Sequence, residues 1–405
     1  MRSFLKAIIL GIVMSLALTA AVSAQTTITY SAWGNEQELA IERALIEAFE
    51  RANPDIHVEL LVPAGGYEET LLVWAAGDRL PDVISLNREH YSTFRSFMQP
   101  IDVERGAVDM SVYVSPALPE ALVYQGVRLG LPKRMNTKVM IYSKDAFDEV
   151  GIAYPTVDWT PNDYAAAARA LTRVEDGRVV RWGSGPLVIW NWFNHFGGSL
   201  YNADRTKAQL TSREIEETTL FMAGLHKQYA GWFDDFANFN EALATGQIAM
   251  FTDVGPWYLP ELLANATYDW RLAPLPGKPL DPEVTGLSIT TSAKDYEAAL
   301  RFVTWVSTSS EAQKIVATGT NLPVTREGVE EFVLRAPDKN LETFFYMFDS
   351  SFEFAPIPER QFTGVDGLVW TTFYDEILVG KIDPLTGLQR LQAQVQGMID
   401  DQNSR

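Results

Sequence analysis

Thr27-Ile28-Thr29-Tyr30-Ser31-Ala32-Trp33 alternates polar and apolar side chains, turns at Gly34-Asn35, and gives way to a helical pattern over Glu36 to Ala52. Alternation marks a half-buried strand, because successive side chains leave opposite faces. Asn35 with Glu38 three residues on reads as an N-cap and capping box, and Leu39, Ala44, Leu45, Ala48 and Phe49 form the apolar stripe. Asn53-Pro54 stops the helix. A second strand, His57 to Val62, leads through Gly65-Gly66 to a helix around Glu68 to Ala76, and Pro81-Asp82 opens a third, Val83-Ile84-Ser85-Leu86. Strand and helix alternating in this way predict an α/β parallel sheet. Ligands meet such sheets at the carboxyl ends of the strands, so Trp33 to Glu36 and Ser85 to Glu89 belong to one edge.

Outward from this unit the same signals continue. Thr160-Pro161 with Asp163 opens a helix through Arg173, and Thr211 with Glu214 opens one to about Tyr229. Ser292 with Asp295, and Ser310 with Glu311, start two more before Ala317. Strand-like runs recur at Gln125 to Leu131, Val139 to Tyr142, Ile248 to Phe251 and Leu287 to Thr291. The pattern predicts a mixed α/β protein of two lobes.

At the other extreme, Arg2 and Lys6 precede an apolar run from Ala7 to Ala21, and Val22-Ser23-Ala24 supplies small residues before a cleavage point. This predicts a secretory signal peptide over residues 1–24, since the apolar run falls short of the ~20 residues that span a bilayer. With no cysteine in the chain there is neither a disulfide nor a lipid-modified cysteine. A periplasmic protein that diffuses freely is the expectation.

The 405 residues carry 33 Lys+Arg against 52 Asp+Glu, a formal charge of -19 that opposes electrostatic binding to nucleic acid. No phosphate-binding loop, nucleophile elbow or H-E-x-x-H zinc motif is present, and neither a metal nor a cofactor is expected. The chemical signal lies instead in 11 Trp and 15 Tyr, several in polar or glycine-rich surroundings: Trp33 before Gly34-Asn35, Trp190-Asn191-Trp192 before Phe196-Gly197-Gly198, and Trp257 after Gly255-Pro256. A ring stacks on the C–H face of a sugar while Asn, Asp and Arg serve its hydroxyls.

Pro81-Asp82-Val83, Leu131-Pro132, Met250-Phe251, Gly255-Pro256-Trp257 and Asn321-Leu322-Pro323, in that order, carry a resemblance over residues 25–405. The chain resembles the extracellular solute-binding proteins of bacterial ABC importers, in the carbohydrate-binding branch that includes the maltose-binding protein. The resemblance implies a two-lobed periplasmic-binding-protein fold, three crossing segments and a ligand cleft between the lobes. The crossings fall near Pro132-Lys133, Val284-Thr285-Gly286 and Leu322-Pro323. The N-terminal lobe is then 25–133 plus 285–322, and the C-terminal lobe 134–284 plus 323–405. It further implies a monomer without catalytic activity that captures a mono- or oligosaccharide by hinge closure and delivers it to membrane permease subunits.

Carried over residue by residue, the resemblance nominates Asn35, Glu36, Ser85, Asn87, Arg134, Asn136, Trp190, Asp253, Trp257, Gly286, Arg326 and Arg360 as ligand contacts. Trp257 is the firmest, because its segment is the one whose tryptophan stacks on sugar in the family, and Trp192 replaces Trp190 if the register slips by two. Two alternatives stay open. An anionic sugar or phosphorylated polyol would use Arg134, Lys133 and Arg88 as counter-charges. A secreted glycan-degrading enzyme would need a carboxylate pair, for which Asp253 and Glu36 are the candidates.

Overall fold

The structure, a computed structural model, describes residues 25–348, 352–358, 362 and 364–404. The expected leader, residues 1–24, and Arg360 lie outside them. Strand β1 (Thr26–Ser31), helix α1 (Glu36–Ala52), β2 (Ile56–Leu61), α2 (Tyr67–Ala76) and β3 (Val83–Asn87) follow one another as the sequence suggests. The capping box is formed: Asn35 Oδ1 accepts from the amides of Gln37 and Glu38 at 2.9 and 3.1 Å, and Glu38 accepts from the Asn35 amide at 3.0 Å. Both β2 and β3 pair with β1 in parallel, so the three strands end on the same edge.

A small hairpin, β4 (Val123–Tyr124) and β5 (Val127–Arg128), precedes β6 (Leu131–Asn136). One continuous strand from Gln125 is therefore a wrong reading. Gln125 and Gly126 hold φ of 49° and 80°, the positive values that a tight hairpin turn demands. The chain then enters a second sheet through β7 (Val139–Ser143).

Helix α3 (Pro161–Leu171), capped by Thr160, stops short of Arg173 because a second hairpin begins there. Its strands are β8 (Arg173–Glu175) and β9 (Arg178–Arg181), turning at Asp176-Gly177 with φ of 48° and 78°. Helices α4 (Ile189–His195) and α5 (Arg213–Leu225) lead to β10 (Met250–Val254) and β11 (Trp270–Ala273), which flank β7 in a three-stranded antiparallel sheet. Strand β12 (Glu283–Ile289) returns to the first sheet, completing the order β2-β1-β3-β12-β6. Helices α6 (Tyr296–Thr308) and α7 (Ser310–Ala317) cover that sheet. The chain closes with α8 (Arg326–Val333), α9 (Val365–Thr372) and α10 (Pro384–Asn403).

Each sheet has its own core. Ile28, Tyr30, Phe49, Leu287, Phe302 and Val303 pack beneath the first, and Met140, Phe147, Tyr164, Trp192, Phe373 and Leu391 beneath the second. A third cluster, with Leu86, Met135, Val139, Val284 and Leu322, runs between them. Each such side chain contributes about 1.5–3 kcal/mol by leaving water.

The chain leaves the first sheet after Asn136 and rejoins it at Glu283, where the sequence reading set boundaries at 133/134 and 284/285. Met135 lies opposite Val284, and its amide and carbonyl also pair with Leu322 at 3.0 and 2.9 Å. The three expected crossing segments thus run side by side.

Candidate functional site

At the carboxyl edge of the first sheet the polar residues are drawn inward. Lys133 Nζ donates to Glu42 Oε1 at 2.6 Å, Ser85 Oγ at 2.7 Å and Tyr30 OH at 2.9 Å, and Tyr30 OH donates to Glu42 Oε2 at 2.8 Å. All four side chains are buried. Burial pushes the Lys133 ammonium down to about 8 against the opposing pull of Glu42. Burial also pushes the Glu42 carboxyl up, but Lys133 and Arg134 more than offset it and hold it below the usual carboxylate range. Arg134 is 6% exposed, sits 3.8 Å from Glu42 and 3.9 Å from Glu38, and covers the Trp33 ring at 5.3 Å. Asn87 Oδ1 accepts from Thr285 Oγ1 at 2.7 Å.

Arg88 is also engaged. It donates to the carbonyls of Ala121 and Ala355 at 3.3 and 2.6 Å and lies 4.9 Å over Phe354. Ser85, Asn87, Lys133 and Arg88 are therefore hydrogen-bonded to protein groups, while Arg134 makes only longer ion pairs and keeps a buried Nε without a protein partner.

The open space gathers around α4. Ile189, Trp192 and Phe193, spaced i, i+3 and i+4, enter the second core, which leaves Trp190 and Asn194 at the flank of the helix, Trp190 still packed in part against that core. Trp190 and Asn194 line two adjoining cavities of about 510 and 520 Å³. Glu89 and His90, which follow strand β3 of the first sheet, line one together with Tyr201 and Phe362. Asn136, Lys138, Asn191, Asp281 and Glu283 line the other. Trp192, two residues on, is fully buried and lines neither cavity.

Asp253 is tied to the neighbour of Trp190 and lines neither cavity. Its Oδ1 accepts from Asn191 Nδ2 at 2.7 Å and lies 3.0 Å from Lys138 Nζ. Asn136 Nδ2 donates to Asn321 at 3.0 Å, while its own buried Oδ1 has no protein partner. Such an acceptor beside an aromatic ring suits a ligand hydroxyl.

The remaining nominees stand elsewhere. Asn35 is spent on its cap, and Glu36 pairs with Arg43 at 2.7 Å in open solvent. Trp257 is 39% exposed and folds back over Gly255, lining neither of Trp190's cavities. Gly286 has a packing duty, because a Cβ there would come within 2.3 Å of Tyr91 OH and 2.4 Å of Leu122. Arg326 donates to the Ser111 carbonyl from an exposed helix start. Lys138, Asn191 and Asn194 were missed from sequence, although the apolar phase of Ile189, Trp192 and Phe193 was a signal for the last.

Residues 44–342, well over half of the chain, match the family model of the bacterial extracellular solute-binding proteins. The chain belongs to that family. Among curated relatives, this solute-binding protein is similar to the melibiose/raffinose/stachyose-binding protein MelE of Bacillus subtilis, with 26% identity over 163 residues. The match covers 40% of this chain and spans only 37% of that relative's length. Among solved structures it is similar to an ABC substrate-binding protein of Listeria monocytogenes in complex with cycloalternan, at 24% identity and a TM-score of 0.76, over 93% of this chain and 99% of that one. The sugar-binding protein MalE of Xanthomonas citri gives 20% identity and 0.76, over 93% and 98%. These likenesses establish the two-lobed α/β fold of the solute-binding protein. No helix among the described residues is long and apolar enough to cross a membrane.

Proposed function

We propose that the protein captures a neutral mono- or oligosaccharide between its lobes and delivers it to the permease of an ABC importer. The observation that carries this reading is the half-buried Trp190 ring open to two cavities, one of them also lined by Asn136, whose Oδ1 has no protein partner. An aromatic platform flanked by groups that donate and accept suits a ring bearing hydroxyls. The engagement of Lys133 and Arg88 argues against the anionic alternative, because a ligand carboxylate or phosphate would have to displace bonds these two already make. Arg134, whose buried Nε has no protein partner, faces the carboxylates of Glu42 and Glu38, which would repel an anion. The sugars named for MelE and for the Listeria protein support the same class.

Residues 25–133 plus 285–322 would then move against 134–284 plus 323–405 about the side-by-side crossings, as in hinge closure. The Trp257 face is an outer platform in this reading. Cleavage after Ala24 releases the protein to the periplasm as a monomer.

A thermal-shift panel tests this. Melibiose, raffinose, stachyose, maltose and cycloalternan are set against glucuronate and glycerol 3-phosphate. A neutral sugar at a hundred times its Kd stabilises by about 2.7 kcal/mol, which raises Tm by roughly 3 °C in a chain of this length. Shifts confined to the two anions would overturn the neutral assignment.

A further inference from the structure

We propose that Tyr374 fixes the attitude of the Trp190 ring by capping, from a distant element, the helix turn that carries it. Helix α4 begins after Val188, whose side chain can accept no hydrogen bond, and the first amides of any helix lack partners within it. The Tyr374 hydroxyl supplies what valine cannot. It accepts from the Ile189 amide at 2.8 Å and donates to the Leu187 carbonyl at 2.8 Å. One oxygen thus pins the chain on both sides of Val188, immediately before Trp190.

The hydroxyl owes its position to a π-helical turn at Phe373–Ile377, where the Leu378 amide reaches back to the Phe373 carbonyl at 2.8 Å. Such turns are rare and recur at functional sites. The ring itself is clamped. Trp232 stacks on it at 4.2 Å and 26°, and Trp370, one turn earlier, lies at 4.4 Å. Burial holds the phenol well above its ordinary pKa, so it remains a donor. On the other side of Trp190, Asn191 is tied to Asp253. The indole therefore projects into the cavities from a backbone held at Leu187 and Ile189, beside an Asn191 whose side chain is anchored.

Tyr374 touches no cavity described above and is a positioning residue. That Trp190 meets ligand rests on the proposed function, whereas the tether does not. The test uses the full chain labelled with 5-fluorotryptophan, comparing wild type with Tyr374→Phe by 19F NMR and assigning the Trp190 signal with Trp190→Phe. The expected result is a shifted or broadened Trp190 signal while that of Trp232, packed on the retained ring, holds its place. Movement confined to Trp232 and Trp370, or no movement, would overturn the proposal.

Hydrogen exchange of the wild type gives the second reading, independent of whether the variant folds. The Ile189 amide should exchange at least about a hundredfold slower than an open amide, and exchange at the open rate would contradict the tether. A sugar taken from the panel separates the two ideas. If Trp190→Ala leaves its affinity unchanged, the functional reading falls while the NMR result still decides the tether.

Discussion

Lys133 and Trp190 make opposite use of similar positions, each near the segments where the chain passes between sheets. Lys133 turns inward and gives all three of its protons to Glu42, Ser85 and Tyr30. Trp190 is half-buried, resting its inner side on the second core that Trp192 and Phe193 fill and leaving the rest of the ring to the cavities. The difference teaches that a charge inside a buried strand serves first the protein's own buried polar groups. An aromatic side chain on a short helix has no such obligation, and the phase of the helix decides where it faces.

The largest effect that could break this contrast is on stability. Glu42→Gln leaves Lys133 buried without its counter-charge, and a loss of about 3–5 kcal/mol is expected in urea unfolding, with sugar affinity retained in the folded fraction. A loss of affinity at unchanged stability would instead place the Lys133 cluster in the ligand site.

Acid comes next. Burial pushes the His195 imidazole down to about 4, with its Nδ1 bonded to the Lys278 carbonyl at 2.9 Å. A carbonyl only accepts, so Nδ1 carries the proton of the neutral ring. The unfolded chain takes up a proton near 6.5 that the fold refuses until about 4. Stability from this group is therefore complete above pH 6.5 and is lost as the pH falls toward 4, by up to about 3 kcal/mol. His195→Asn should flatten the Tm profile in that window, and an unaltered slope would assign it to other groups, His226 among them.

Smaller effects sharpen the comparison. Trp257→Ala, whose ring lines neither cavity, should weaken sugar binding by less than about 1 kcal/mol, read by calorimetric titration. A larger loss would move the recognition surface toward Gly255-Pro256-Trp257. Glu36→Ala breaks an exposed ion pair and should alter stability by no more than about 0.5 kcal/mol. It should also leave affinity untouched, which a contact at the ligand or a carboxylate pair with Asp253 would not allow.

The first five elements were legible because their signals are local: Asn35 caps with Glu38, and Asn53-Pro54 ends α1. The two hairpins were legible in principle at Gln125-Gly126 and Asp176-Gly177, but short polar strands carry too little apolar pattern to compete with a neighbouring element. Glu42 falls on the apolar stripe of α1 between Leu39 and Leu45, and an acid there implies a buried partner. Its identity, Lys133, depends on the sheet bringing distant residues together. For the same reason the Asn191 bond to Asp253 and the Tyr374 cap on Ile189 have no sequence signature. Asn136 and Trp190 were reached through family resemblance, and only the phase of α4 distinguishes Trp190 from Trp192.

Calorimetric titration of the wild type and Trp190→Ala, with the neutral sugar that stabilises the protein most, bears most directly on the recognition surface. Removal of the ring should weaken binding by about 1–3 kcal/mol, roughly five- to 150-fold, with Tm of the free protein little changed. Wild-type affinity in Trp190→Ala would contradict the assignment of sugar recognition to this ring.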